Sequence, residues 1–202
     1  MAKLIRSIVV SAPSGTGKST ICRRLLAACP DIKFSVSLTS RTPRPNEING
    51  KDYHFISHED FQRRIDEGEF VEWVENYGQF YGTSVKVIND ALNHGKDLLL
   101  DIEPRGAKAI KKQFPDAVFV FVLPPSPDEL LKRLKKRGHE SEEAIKIRFS
   151  QSNSELKEVL WYDYTIFNED LETAVFQMIS IYHAEKCKTN RLCGKIDRVF
   201  KI

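Results

Sequence analysis

The chain has 202 residues, of which 41% are hydrophobic and 29% are charged, and its formal net charge is +3. This composition is typical of a globular protein, and so mild a charge does not indicate a nucleic-acid partner. No apolar run approaches the roughly 20 residues of a membrane span, and the first residues lack the cleavage site of a signal peptide. The four cysteines form no CxxC pair. We therefore expect a cytoplasmic protein with reduced thiols and no membrane partner.

Short apolar runs predict three buried strands, at residues 7–11 (SIVVS), 97–102 (DLLLDI) and 117–123 (AVFVFVL), and a weaker fourth run lies at residues 164–168 (YTIFN). Helical patterns separate these runs, as they do in a parallel sheet with helices on its faces. The expected fold class is therefore α/β, with a parallel sheet flanked by helices.

The segment after the first strand has the spacing of a phosphate-binding loop, except that Ala12 stands in the place of the first glycine. A small side chain is sufficient there if the backbone keeps a negative φ. Gly15 and Gly17 let the chain wrap around phosphate oxygens at the start of a helix, Lys18 reaches the β- and γ-phosphates, and the Ser19 hydroxyl can bind Mg²⁺. A chance glycine-rich turn is the alternative, and the flanking strand and helix disfavour it. The expected ATP-binding loop consists of Ala12, Pro13, Ser14, Gly15, Thr16, Gly17, Lys18, Ser19 and Thr20.

Residues 33–90 interrupt the alternation of strands and helices. Their short alternating segments, rich in aromatic residues and threonine, predict a small, partly antiparallel sheet with one helix near residues 58–68. Within this region Arg41 and Arg44 lie three residues apart, and Tyr53 follows nine residues later. Two guanidinium groups and a phenol suit a second phosphate group, although an exposed basic loop would have the same composition.

Two acidic residues, Asp101 and Glu103, stand at the end of the apolar run at residues 97–102, in the sequence LLLDIE. The carboxylate of Asp101 can hold the water shell of a magnesium ion. The alternative is that these acids mark the N-terminus of a helix that starts near Arg105. Beside a phosphate-binding loop, the magnesium interpretation is favoured.

A capping box predicts a further helix, with Ser126 as the N-cap, Pro127 at the first helical position and Glu129 completing the box. Gly138 can end this helix, and Ser141 can cap the next one.

A phosphate-binding loop alone does not separate a switch GTPase, an ATP-driven motor and a small-molecule kinase. The chain, up to about its last ten or fifteen residues, resembles the guanylate kinases. The resemblance rests on five segments: SAPSGTGKST, FSVSLTSRTPRPNEINGKDYHF, FVEWVENYGQFYGTS, LLLDIEPRGA and KRLKKRGHESEEAIKIR. It implies an enzyme that transfers the γ-phosphate of ATP to GMP, with Mg²⁺ as cofactor and ADP and GDP as products.

The resemblance also implies three parts. These are a core of residues 1–32 and 91–202, a small mixed α/β GMP-binding insertion of residues 33–90, and a short helical lid at about residues 135–150 within the core. Closure of the insertion and the lid would keep water away from the transferred phosphoryl group.

Site residues carry over from the family position by position. The clamp on the GMP phosphate consists of Arg41, Arg44, Tyr53 and Tyr81. The expected guanine contacts are Ser37, Glu72 and Thr83, and Asp101 and Glu103 are further expected GMP-binding residues. The arginines that close over the phosphates are Arg133, Arg137 and Arg148, and Asn168 falls where the family often contacts adenine. The expected stabilisers of the transferring group are Lys18, Arg44, Arg137 and Arg148, and the expected Mg²⁺ ligands are Ser19 and Asp101.

The hydrogen-bonding edges of guanine and adenine give a separate reason to expect that Glu72 selects guanine. Guanine presents N1–H and an exocyclic amine side by side, and a carboxylate such as that of Glu72 can accept both hydrogen bonds. Adenine has an acceptor at N1, which would face a negative charge. The alternative for Glu72 is an exposed polar position on an edge strand.

Three positions depart from the family pattern. Glu103 stands where the family usually has Asp, Pro104 and Arg105 replace a pair that often ends in Gln, and Asn46 takes the place of a usual Gly.

Two other functions remain open from the sequence: an inactive guanylate-kinase-like module that binds proteins, and a kinase of another small phosphorylated acceptor. The first predicts a damaged phosphate loop or missing lid arginines, whereas Lys18, Ser19, Arg137 and Arg148 are all present. The expected partners are ATP and GMP, with dGMP as a further substrate, and the expected state is a monomer or a homodimer.

Overall fold

The computed structural model describes residues 7–76, 78–136 and 142–201. The strands are β1 (Ser7–Ser11), β2 (Ile32–Phe34), β3 (Leu38–Thr39), β4 (His54–Phe55), β5 (Phe70–Asn76), β6 (Gln79–Ser84), β7 (Asp97–Asp101), β8 (Val118–Leu123) and β9 (Tyr164–Phe167). The helices are α1 (Lys18–Ala28), α2 (His58–Asp66), α3 (Val85–Asn93), α4 (Pro104–Gln113), α5 (Pro127–Lys136), α6 (Glu142–Leu156), α7 (Leu171–Lys186) and α8 (Thr189–Phe200), with a 3₁₀ helix at Lys157–Trp161. None of the helices in these described ranges is long and apolar enough to cross a membrane.

The larger sheet has five strands in the order β2-β7-β1-β8-β9, and the pairs β1–β7, β2–β7 and β8–β9 are parallel. Every residue of β1 is buried, and so are the first four residues of β7 and the first five of β8. Strands that are covered on both faces carry apolar side chains at nearly every position, which is why these runs do not alternate. The predicted α/β fold with a parallel sheet and its four predicted strands are confirmed.

The chain divides into two compact units. One unit holds Ala12–Pro30 and the chain from Val120 onward, which includes α1, β9 and α5 to α8. The other holds β1 and Asp31–Phe119, which includes β2 to β7 and α2 to α4. The functional division predicted above, with an insertion at residues 33–90 and a lid at about residues 135–150, stays a prediction.

The smaller sheet has four strands in the order β4-β3-β6-β5. The pair β3–β4 is parallel, whereas β3–β6 and β5–β6 are antiparallel. Phe61 of α2 is fully buried against this sheet, with its ring 4.4 Å from that of Phe70 and 5.2 Å from that of Phe80. The structure therefore confirms a small, partly antiparallel sheet with one helix packed on it.

One strand was misassigned from the sequence, and three α-helices were not predicted. The segment from Lys33 was assigned to the small sheet, but Ile32, Lys33 and Phe34 pair with β7 in the larger one. A strand of three residues with an exposed lysine has no apolar run, so only its pairing reveals it. Helices α3, α7 and α8 were not predicted either.

The start of α5 agrees only partly with the predicted capping box. Ser126 Oγ accepts the Glu129 N–H at 3.2 Å, as predicted for an N-cap. The Glu129 carboxylate, however, accepts from Arg133 Nε at 3.0 Å rather than returning to the cap. Gly138 and Ser141, predicted to end this helix and to cap the next, lie outside the described residues.

Candidate active site

The loop between β1 and α1 has the backbone that phosphate binding requires. Gly15 and Gly17 have φ values of 95° and 93°, a region that favours glycine. Gly17 is also the N-cap of α1, and its carbonyl accepts the Thr20 N–H at 3.0 Å. Among the described residues, positive φ outside glycine occurs only at Asn46 and Lys201. Ala12 therefore keeps the negative φ that makes alanine acceptable in place of glycine.

Two predicted ATP-binding residues brace this loop from outside. Asn168 is buried, and its Nδ2 donates to the Thr16 carbonyl at 2.6 Å. Arg133 Nη1 reaches the same carbonyl at 3.4 Å, and its Nη2 reaches the Asn168 carbonyl at 3.4 Å. A Cβ atom on Gly17 would overlap the Asn168 amide, so glycine is also required here for close packing. Direct contact of Arg133 or Asn168 with ATP stays a prediction.

The C-terminal end of the loop leads directly into α1. Lys18 and Ser19 are its first two residues, and Ser19 is exposed. The first N–H groups of a helix have no partner within the helix, and the helix dipole favours an anion at this end. Of the arginines predicted to close over the phosphates, Arg148 is half-buried in α6, whereas Arg137 lies outside the described residues.

The predicted clamp on the acceptor phosphate comes together around Arg41. Its guanidinium lies 5.5 Å from the centre of the Tyr53 ring and 5.6 Å from that of Phe55. The rings of Tyr53 and Tyr81 are 6.1 Å apart. Burial works to lower the pKa of Arg41, but hydrogen bonds with Glu47, and a smaller contribution from Tyr81, hold it above its ordinary value. Arg41, Tyr53 and Tyr81 thus form one polar and aromatic cluster.

Arg44 joins this cluster through a tight turn. The Glu47 N–H donates to the Arg44 carbonyl at 3.1 Å, with Pro45 and Asn46 between them. Asn46 has φ 70°. Proline at the second position and a positive φ at the third are typical of a type II turn, which explains how Asn46 can replace a glycine. The same turn brings the Glu47 carboxylate to the Arg44 N–H at 2.6 Å.

The predicted guanine-reading carboxylate is buried rather than exposed. Glu72 is 4% exposed and lies opposite Thr83 in the β5–β6 pair. Thr83 Oγ1 donates to Glu72 Oε1 at 2.6 Å, while Glu72 Oε2 is buried with no hydrogen-bond partner among the described residues. Burial raises the pKa of Glu72 to about 7, against the opposing effect of the Thr83 hydrogen bond and with support from the charge of Glu103.

A second carboxylate lies close enough to Glu72 to interact with its charge. Glu103 precedes α4, and its Oε1 accepts from Asn76 Nδ2 at 2.7 Å. Gly106, in the first turn of α4, has no side chain because Glu72 occupies that space: a Cβ there would overlap the Glu72 carboxylate. Glu72, Thr83, Glu103, Asn76 and Gly106 therefore form one cluster.

The other predicted acceptor-side residues are placed by their backbones. The Ser37 carbonyl accepts the His54 N–H at 2.9 Å. Asp101 ends β7, opposite Val10 of β1. Tyr81 and Thr83 are two residues apart on β6, so their side chains lie on the same face of the small sheet.

Sequence reasoning missed three members of these clusters: Glu47, Asn76 and Gly106. An acid inside the basic segment from Arg41 to Lys51 was a visible signal for Glu47. Asn76 and Gly106 act across contacts between distant parts of the chain, which the sequence does not display.

Comparison with known proteins gives a consistent result. The family model described as guanylate kinase matches residues 4–185. A guanylate kinase from Syntrophus aciditrophicus is 53% identical over 192 residues, covering 95% of this chain and 92% of that relative. One from Symbiobacterium thermophilum is 50% identical over 184 residues, covering 91% and 87%. The crystal structure of a guanylate kinase from Anaplasma phagocytophilum superposes with a TM-score of 0.79 at 32% identity, covering 99% of this chain and 97% of that one.

Proposed function

The chain belongs to the guanylate kinase family, and we propose that the clusters described above serve an ATP:GMP phosphotransferase that produces ADP and GDP. One observation carries the choice of acceptor. Glu72 Oε2 is buried without a hydrogen-bond partner among the described residues, while Oε1 is held by Thr83. A buried acceptor without a partner is costly, and the paired N–H donors of guanine supply the missing partners.

The acceptor phosphate has a separate set of contacts. Arg41, Tyr53 and Tyr81 surround it, and Arg44 extends from the adjoining turn. Arginine suits this role because its planar fork donates parallel hydrogen bonds to phosphate oxygens. Glu103 and Ser37 take the remaining contacts to the nucleoside in this proposal.

The donor phosphates are held by the loop that precedes α1. Its backbone N–H groups bind the phosphate oxygens, and Lys18 follows the β- and γ-phosphates. Arg137 and Arg148 neutralise the charge that spreads over the transferring group, together with Lys18 and Arg44. Phosphoryl transfer needs positioning and charge neutralisation rather than a covalent enzyme intermediate.

Mg²⁺ fits the residues assigned to it. The Ser19 hydroxyl is exposed at the start of α1, and Asp101 offers a carboxylate at the end of β7. Both are oxygen ligands, which Mg²⁺ prefers. When bound with ATP, the ion neutralises phosphate charge.

Family membership favours an active enzyme over the protein-binding module and over a kinase of another small acceptor. In the proposal the substrates are ATP and GMP, with dGMP accepted as well, and the protein works as a monomer or a homodimer in cytoplasmic purine nucleotide metabolism. Turnover of GMP by the wild-type protein separates the active enzyme from the module.

The phosphate loop is tested by Lys18→Ala. We expect the rate of ADP formation from ATP and GMP to fall at least about a hundredfold, because the variant lacks the cation that stabilises the transferring phosphoryl group. The melting temperature should stay close to that of the wild type, since Lys18 is a half-buried residue at the start of α1 and is not part of the buried core. Lys96→Ala, which removes an exposed lysine elsewhere, is the matched control. Near-normal turnover in Lys18→Ala would contradict the assignment of the loop.

A further inference from the structure

The guanidinium of Arg41 is held on one side by a single carboxylate. Arg41 Nη1 donates to Glu47 Oε2 and Nη2 donates to Glu47 Oε1, both at 2.9 Å. Both side chains are largely buried, at 14% and 18% exposure. Nη1 also donates to the Thr42 carbonyl at 2.7 Å. Glu47 and Thr42 therefore fix the plane and the rotation of this group.

Neither Glu47 nor Thr42 binds the remaining edge of the guanidinium, which faces the cluster that includes Tyr81. Arginine has five N–H donors in a planar fork, and Glu47 and Thr42 take three of them. The other two are the Nε–H and the second Nη2–H, which point in the same direction along one edge. Nε is buried and has no hydrogen-bond partner among the described residues. Two parallel donors of this kind match two oxygens of a phosphate.

We propose that Glu47 is a positioning residue for the acceptor: it binds one edge of Arg41 so that the Nε/Nη2 edge is presented to the phosphate of GMP. The inference rests on the proposed function, which puts that phosphate at Arg41. Glu47 does not contact the phosphate itself. It acts through Arg41 and through the Arg44 N–H, which it accepts at 2.6 Å.

A competing role for the same carboxylate is that of a phosphate mimic, which GMP would have to displace. The geometry disfavours this role. Glu47 occupies the Nη1/Nη2 edge and the backbone of its own turn, and it makes no contact with the edge that carries the buried Nε–H. The two roles predict opposite changes in the KM for GMP.

The test is Glu47→Gln, which keeps the size of the side chain but replaces one acceptor oxygen with an NH₂ donor and removes the charge. We expect the KM for GMP to rise about tenfold or more, with kcat changed less than threefold and the KM for ATP unchanged, since the lost contact is made to the bound ground state as well. Glu47→Asp, which keeps the charge on a shorter side chain, should recover part of the loss. Asp52→Asn is the matched control, because Asp52 Oδ2 accepts the Ile48 N–H at 2.8 Å in the same loop.

A second measurement separates positioning from simple loop stability. The affinity of the protein for guanosine, which lacks the phosphate, should be the same in the wild type and in Glu47→Gln, while the affinity for GMP falls. An unchanged or lower KM for GMP in Glu47→Gln would overturn the proposal, and so would a parallel loss of guanosine and GMP affinity. If the wild-type protein itself does not turn over GMP, the proposed function fails instead.

Discussion

At the scale of single residues, the Glu72 carboxyl stands out by its burial and its raised pKa. It is buried, one of its oxygens lacks a partner among the described residues, and its pKa is raised to about 7 from 4.5, chiefly by burial. Glu103 adds a second negative charge nearby. A folded chain therefore retains the proton of Glu72 at pH values where an unfolded chain has lost it.

This difference in proton binding predicts how stability depends on pH. Between about pH 4.5 and pH 7 the folded state binds more protons than the unfolded state, so the contribution of Glu72 to stability falls as the pH rises and levels off above pH 7. Glu72→Gln has no proton to lose. The free energy of unfolding of Glu72→Gln minus that of the wild type should therefore increase by on the order of 2 kcal/mol when the pH is raised from 5 to 8.

Urea unfolding of both proteins at pH 5 and pH 8 measures this change. Every other titrating group is present in both proteins, so the difference isolates position 72. Glu103→Gln is a useful companion, because it removes the neighbouring charge while leaving the burial of Glu72 in place. An equal difference in stability at the two pH values would mean that Glu72 titrates in its ordinary range.

At the scale of elements, the cluster around Glu72 depends on how α4 approaches the small sheet. Gln113 Nε2 at the end of α4 donates to the Val71 carbonyl of β5 at 2.8 Å. At the other end, Gly106 lies against the Glu72 carboxylate, and an added Cβ would also come within 2.8 Å of Ile102 Cγ2. The helix therefore forms one wall of this cluster, and a methyl group is enough to disturb it.

Gly106→Ala tests this contact. We expect it to displace the Glu72 carboxylate, to lower kcat/KM for GMP about tenfold or more while leaving the KM for ATP unchanged, and to destabilise the fold by about 1–3 kcal/mol, as overpacking does. Steady-state kinetics and thermal unfolding measure the two effects.

Gly194→Ala is the control for helical glycine. A Cβ built at Gly194 in α8 has no heavy atom within 4 Å apart from its chain neighbours and the backbone of its own helix. Alanine there should therefore leave the kinetics unchanged and raise the free energy of unfolding by about 0.5–1 kcal/mol. Normal GMP kinetics in Gly106→Ala would show that Glu72 is not held by α4.

At the scale of the whole molecule, the sequence was most informative where a property is local. The phosphate loop, the buried strands β1, β7 and β8, and the N-cap at Ser126 each depend on residues that are adjacent along the chain. Strand β2 was misassigned because its three residues become a strand only by pairing with β7. Helix α8 was missed, and it contains no buried residue whose periodicity would have revealed it.

The same distinction applies to the site. Residues of the phosphate loop and of the segment from Arg41 to Tyr53 were identified from spacing and from the family resemblance. Asn76 and Gly106 were not, because each contacts a residue that is distant in the chain, as in the Asn76–Glu103 hydrogen bond of 2.7 Å. The hydrogen bond from Asn168 to the Thr16 carbonyl also joins residues that are distant in the chain.

We propose that this chain phosphorylates GMP and selects guanine through Glu72. The most direct test measures ADP formation from ATP and Mg²⁺ with GMP, AMP, CMP and UMP, for the wild type and for Glu72→Gln. We predict that kcat/KM of the wild type for GMP exceeds that for AMP at least about a thousandfold, because adenine would leave the buried carboxylate without its partners. The ratio should fall steeply in Glu72→Gln. Comparable rates with another nucleotide in the wild type would contradict selectivity for GMP, and an unchanged ratio of GMP to AMP in the variant would contradict guanine recognition by Glu72.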